Sequence, residues 1–301
     1  MKTLLYLCIG IIALNACKEK EKPKNEKLHI VTTTGMLADG VKNLLGNTVK
    51  VTSLMGTGVD PHLYKATSND LQLLQDADII IYNGLHLEGK MSDILEKLKR
   101  KKKVLAITDG LTKNELRLIG KNTYDPHIWF DVVLWKKGWF YIADELSKQD
   151  SVLSITIQNN QIPFIQKLDS LNEWVNHEIA TIPPNARVLV TAHDAFGYFG
   201  RAYTMEVIGL QGISTVSDFG LKDISSLVSL ITKRKIKAVF IETSVSPKAI
   251  EAVVEGCKDK GHQIQIGKPL YSDAMGAEGT IEGTYEGMVK ANVKNIVEGL
   301  K

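Results

Sequence analysis

The chain has 301 residues, 44% of them hydrophobic and 24% charged, the balance of an ordinary globular protein and not of a collagen-like, disulfide-dense or wholly disordered one. Its 37 Lys and Arg against 34 Asp and Glu leave a formal charge of +3. That is too even for a nucleic-acid-binding surface spread over the whole molecule, so a small molecule or an ion is the better-fitting ligand. At roughly 150 residues per domain, the length accommodates one large or two medium domains.

Met1-Lys2-Thr3 is a short basic start, and residues 4–14 form an apolar run too brief to span a bilayer comfortably. This is the pattern of a signal peptide, assigned to residues 1–16. The run ends in Leu14-Asn15-Ala16-Cys17, which resembles the lipobox of bacterial lipoproteins, whose cysteine is lipidated and becomes the new N-terminus. The resemblance makes Cys17 an anchor to the membrane. Residues 18–27, KEKEKPKNEK, offer no apolar side chain to bury, so 17–27 is expected to be a solvated tether. No other apolar run approaches the roughly 20 residues of a membrane helix. Of three cysteines, Cys8 lies in the signal and Cys17 carries lipid, which leaves Cys257 as a buried small hydrophobe. An exported chain without a disulfide relies on its core.

Past the tether, short β-branched runs alternate with amphipathic stretches, the pattern of βα units feeding a parallel sheet. Strands are expected at 28–33, 49–54, 78–82 and 104–108. Helices are expected at 36–45 and 68–77, the second capped by Thr67-Ser68. A second set follows, with strands at 187–192, 206–210, 238–242 and 263–267 and helices at 225–233 and 247–260. Between the sets, residues 134–182 carry no strand signal, and Ile165, Leu168, Leu171, Trp174, Val175 and Ile179 repeat at helical spacing. That spacing predicts a long linking helix of about 25 residues, nearly 40 Å long, with a kink or a start at Pro163. The fold class is α/β: two lobes, each with a roughly four-stranded parallel sheet flanked by helices, joined by one long helix. The divisions are 28–150 for the N-terminal lobe, 151–184 for the linker and 185–301 for the C-terminal lobe.

The residues that carry chemistry sit after these strands. Asp60-Pro61-His62 follows the second strand, and the same tripeptide returns at Asp125-Pro126-His127 after the fourth. His193 follows the first strand of the second lobe, and Asp273 follows the last in Tyr271-Ser272-Asp273-Ala274-Met275-Gly276. In open α/β sheets, ligands bind beyond the carboxyl ends of the strands, so all four can face one crevice. Three imidazoles and a carboxylate, two from each lobe, would close a four-coordinate site. Imidazole nitrogen suits zinc, while the anionic oxygen tolerates harder ions such as manganese. Asp60 and Asp125 stand two positions before their histidines and are placed to accept the far imidazole N–H.

VDPHLY, YNGLHLE, DPHIWFD, TAHDAFGYF and YSDAMG occur in the order found in the metal-binding lipoproteins of ABC importers, and the chain resembles the TroA-like zinc/manganese group over nearly its whole mature length. The resemblance implies a monomeric receptor tethered outside the cytoplasmic membrane of a bacterium. Such a receptor captures Zn²⁺ or Mn²⁺ as transport substrate and hands it to an ABC permease. By motif position it carries the ligand roles onto His62, His127, His193 and Asp273. Three features depart from the pattern, the first being Pro163 in a linking helix that is usually unbroken. Residues 112–124 contain no histidine, unlike the His-rich loop of the zinc-scavenging branch, and His193 stands where manganese-preferring relatives often have Glu.

Single histidines are more often structural than ligating, and His29, His86, His177 and His262 are assigned to packing or solvation. Glu242, ending its strand, is left outside the ligand set as a neighbouring or structural acid. A zinc hydrolase is the rival reading, since three histidines can activate a water. It needs an open coordination position, and no HExxH or GxSxG pattern accompanies it. A surface tether also suits an adhesin, which would not require the ligand set.

Overall fold

The β-branched run HIVT, with every residue buried, places β1 (His29–Thr32) at the centre of the first sheet. A computed structural model describes residues 27–216 and 219–301. The expected signal peptide, Cys17 and nearly all of the tether lie outside the described residues. After β1 come α1 (Gly35–Leu45), β2 (Lys50–Ser53), α2 (Ser68–Asp76), β3 (Ile79–Tyr82), α3 (Ser92–Lys99) and β4 (Lys103–Ala106). The strands pair in parallel in the order β2-β1-β3-β4. Thr67 caps α2 as expected: its hydroxyl accepts the Asp70 N–H while the Asp70 carboxylate accepts the Thr67 N–H, a reciprocal box that satisfies two otherwise free donors. The fourth strand stops earlier than expected, because Thr108 turns back to bond the Asn83 carbonyl and residues 107–110 coil into a 3₁₀ turn.

A hairpin of β5 (Leu118–Gly120) and β6 (Thr123–Tyr124), unforeseen in the sequence, precedes α4 (Val132–Ser147) and α5 (Ser151–Ala180). The linking helix α5 therefore has 30 residues, about 45 Å of rise. It runs through Pro163, so the proline is not its start. Asp150 caps the first turn instead, and Leu153, Ile157, Phe164 and Leu168 bury on both sides of the missing proline donor. Asn160 Nδ2 donates to the Leu44 carbonyl of α1, and the Tyr203 hydroxyl donates to Asn172 Oδ1. The helix is thus fastened to both lobes.

The second lobe is built from β7 (Val188–His193), α6 (Gly197–Tyr203), β8 (Glu206–Gln211), α7 (Leu221–Arg234), β9 (Ala238–Val239), α8 (Lys248–Asp259), β10 (Gln265–Ile266) and α9 (Tyr285–Leu300). Its ladders, β8 with β7 and β9 with β10, are joined by the parallel bridge Thr191–Phe240. The order β8-β7-β9-β10 repeats that of the first sheet. The strand expected over 238–242 is regular only at its start and continues as isolated bridges. Helix α7 begins a turn earlier than its periodicity predicts, because the Gly220 N–H is held by Asp223.

One buried cluster runs from Ile30 and Leu37 through Trp135 and Leu168 to Leu189, Phe240 and Met288, so the lobes share a core across α1, α4, α5 and α9. Two smaller clusters lie under α2 and α3 on one flank and under α7 and α8 on the other. Cys257 belongs to the second of these flanks and is buried. Gly40 marks the tightest packing, since a Cβ there would lie 1.9 Å from the Trp139 ring. Among the described residues no helix is long and apolar enough to cross a membrane.

Candidate metal centre

The four residues singled out in the sequence meet in the crevice between the sheets. His62 lies in the loop after β2 and His127 beyond β6. His193 is the last residue of β7, and Asp273 lies beyond β10. All are buried, none more than 3% exposed. One donor atom from each lies within 4.8 Å of the others. His193 Nε2 is 3.2 Å and His62 Nε2 3.8 Å from Asp273 Oδ2, His127 Nε2 is 3.4 Å from Asp273 Oδ1, and the Nε2 atoms of His62 and His127 are 3.3 Å apart. Four donors around a tetrahedral ion at about 2.1 Å lie roughly 3.4 Å from one another, so the set has the dimensions of a transition-metal shell. Both Asp273 oxygens and both His193 ring nitrogens are buried with no hydrogen-bond partner. Such atoms are costly to bury unless a cation meets them.

The outward faces of two imidazoles are held by carboxylates. Asp125 Oδ1 accepts both the backbone N–H of His127 and, at 2.7 Å, its Nδ1, as the spacing predicted. Glu242 does the same for His193: Oε1 accepts the backbone N–H at 2.9 Å, and Oε2 lies 2.5 Å from Nδ1 as a charge contact rather than an aligned hydrogen bond. Asp60 departs from the expectation. Its Oδ1 accepts the His62 backbone N–H and its Oδ2 the Thr215 hydroxyl of the other lobe, so it fixes the loop and not the ring.

The electrostatics of the three imidazoles diverge. Burial pushes His62 down to about 4, with Asp273 opposing and the neighbouring histidines adding to the shift. Burial also works against charge on His127, but Asp125 and Asp273 outweigh it and raise the ring to about 9. His193 is raised well above its ordinary value because Glu242 and Asp273 overcome its burial. Asp273 is held well below the carboxylate range, since His193 and His127 more than offset the burial that would raise it. The shifts favour positive charge beside Asp273, where a dication would sit.

Several supporting residues escaped the sequence reading. Arg117 donates one guanidinium nitrogen to Asp125 Oδ2 at 2.8 Å and another to Asp194 Oδ2 at 3.1 Å, joining the carboxylate behind His127 to the residue after His193. It packs so closely over α6 that a Cβ on Gly197 would fall 2.1 Å from its Nη1. Nothing around Arg117 in the sequence marks this role, whereas Asp194 directly follows a candidate ligand. Trp129 lies edge-on to His127 and its Nε1–H donates to the Ser272 carbonyl, next to Asp273. In the YNGLHLE stretch the buried carboxylate of Glu88 accepts from the Thr33 hydroxyl and the N–H groups of Asn83 and Gly84, and Asn83 Nδ2 donates to the Pro126 carbonyl beside His127. His86 is exposed on the turn with φ +64°. His29 bonds Thr52, His262 bonds the Ile236 carbonyl, and His177 is exposed on α5.

Residues 30–299 match the family model described as ZnuA, zinc-uptake complex component A, periplasmic. The manganese-binding lipoprotein MntA of Bacillus subtilis is 50% identical over 285 residues, covering 93% of this chain and 92% of that protein. The zinc-binding protein TroA of Treponema pallidum is 42% identical over 301 residues, covering 98% of each. The solved structure of periplasmic zinc-binding TroA from Treponema pallidum superposes with a TM-score of 0.89 at 44% identity, covering 91% of this chain and 99% of that one.

Proposed function

Since the chain belongs to the ZnuA family of periplasmic zinc-uptake components, we propose that it is an extracytoplasmic solute-binding protein that captures Zn²⁺ or Mn²⁺ between its lobes and delivers the ion to an ABC permease. His62, His127, His193 and Asp273 are the ligands in this reading. Residues 28–150 and 185–301 are the two lobes that contribute them, and 151–184 is the connection. Cys17 carries the lipid that keeps the monomer beside its permease, with 17–27 as the tether.

The observation that carries the proposal is the convergence of four buried donors, several of them unpartnered, at the separations a four-coordinate ion requires. Imidazole and carboxylate together suit both relatives' ions: one relative is named for manganese and another for zinc. A hydrolase is the weaker use of the same set. A catalytic zinc keeps a position open for water, whereas three imidazoles and Asp273 fill a tetrahedral shell. The family is a transport family.

Metal analysis of the protein taken from its own envelope, with calorimetric titration by Zn²⁺ and Mn²⁺ after stripping, tests the proposal. One equivalent of transition metal per chain is expected, and absence of stoichiometric binding of either ion would overturn it. Because zinc outcompetes manganese at most N/O sites, the ion found in envelope-derived protein identifies the cargo, not the tighter complex in vitro.

A further inference from the structure

We infer that the metal enters and leaves its site through a cavity between α1, the β2 end and the loop after Asp273. The inference rests on the metal-binding reading above. With all four ligands buried, a bound ion is sealed from bulk solvent and needs a route. A cavity of about 340 Å³ lies against the site, and Asp273 is the one ligand among the four that forms part of its wall. At about 30 Å³ per liquid water this space holds on the order of ten molecules, enough for an octahedral divalent ion with its own water shell. The polar residues Thr52, Ser53 and Asp39 are among its lining, and the lining Lys42 is paired with Glu278, a surface that a hydrated cation can cross without losing all its water at once. Asp273 backs the inner end of the cavity, with its carboxylate oxygens buried against the imidazoles and accepting no aligned hydrogen bond, so the carboxylate is the first of the four donors on this route.

The outer end is spanned by two contacts between lobes. The Thr57 hydroxyl donates to the Gly276 carbonyl at 3.1 Å, and Lys42 pairs with Glu278 at 3.1 Å, both exposed. Neither contact involves a ligand. They can open without displacing His62, His127 or His193, none of which lines the cavity.

Filling the cavity tests the route. Ala38→Phe alters the α1 wall, away from the ligand loops, and Gly56→Phe fills the cavity from the β2 side, where a new Cβ meets nothing within 4 Å. Stopped-flow mixing with Zn²⁺, read by Trp129 fluorescence beside His127, gives association, and mixing with excess chelator gives dissociation. In a folded variant both rates are expected to fall together by about tenfold, with the dissociation constant unchanged, because a narrowed path hinders both directions equally. Any other pattern in both folded variants, association at the wild-type rate above all, overturns the route. Thermal melting identifies a variant that does not fold, and the second substitution then carries the test. Failure of the wild-type protein itself to bind Zn²⁺ would instead refute the metal reading.

Discussion

The two lobes share a strand order and differ at the carboxyl ends where the site is built. In the C-terminal lobe, His193 is the final residue of β7, paired in the ladder opposite Gln211, and Glu242 continues the neighbouring strand to hold it. In the N-terminal lobe the sheet is the more regular of the two, yet His62 stands far past β2 on a loop with Gly58 in a left-handed turn. That loop is tied down through the Asp60 contacts to its own backbone and to Thr215. Regularity of a sheet therefore does not decide how the side chain it delivers is held. His193 is fixed by its place at a strand end and by the strand beside it, whereas His62 is fixed only through the contacts of its loop.

Removing the shared anion breaks both halves at once and has the largest expected effect. Asp273 lies within 3.8 Å of all three imidazole Nε2 atoms. Asp273→Ala should abolish the rise in melting temperature that saturating metal confers on the wild-type protein, a rise corresponding to about 2.7 kcal/mol at a hundredfold excess over the dissociation constant. A wild-type shift in calorimetry of the variant would remove Asp273 from the ligand set.

Protons compete for the same place and distinguish His62 from its partners. With His127 raised to about 9 and His193 raised well above its ordinary value, both rings carry protons at neutral pH, while His62, lowered to about 4, does not. Metal requires neutral imidazole, so binding near pH 7 should release about two protons and the apparent affinity should climb about a hundredfold per pH unit between 6 and 8. Titrations in buffers of different ionisation enthalpy count the protons directly. Release of none would show that the empty site is neutral.

The supporting carboxylates separate the histidine at a strand end from the histidine on a loop. Glu242→Gln keeps a group for the His193 N–H but loses the anion facing Nδ1. It should weaken metal binding by about ten- to a hundredfold. Asp60→Asn touches only backbone and a threonine hydroxyl, so its loss should be smaller than that range. Equal losses in the two variants would mean that both ligands are held alike.

Most of this site was legible because its parts lie in short local motifs. The duplicated Asp-Pro-His, His193 at a strand end and Asp273 after the last strand each announce a loop at the carboxyl edge of a sheet. Long βα periodicities located the regular elements for the same reason. What escaped was set by contacts distant in sequence. Glu242 is legible as a neighbouring acid, but its partner His193 lies 49 positions away, and Arg117 reaches Asp194 across 77; no local pattern encodes either meeting. The hairpin β5–β6 is too short to have a periodicity. The course of α5 through Pro163 depends on packing against α1 and on the Asp150 cap, which outweigh the local penalty of the proline.

The smallest expected effect probes the seam where the two halves meet. Arg117 bridges Asp125, wholly buried behind His127, and Asp194, whose side chain is 24% exposed. Asp194→Asn cuts the bridge between lobes while leaving the arginine on Asp125. A partly exposed ion pair contributes at most about 1 kcal/mol, so metal affinity should fall no more than about fivefold. Arg117→Ala removes that bridge and also strips the counter-charge from the buried Asp125, and should cost more. In the double variant the Asp194 change should add nothing to the Arg117 change, because contacting residues are not additive. Additive losses would mean that the guanidinium supports the two carboxylates separately and does not act as a bridge between the lobes.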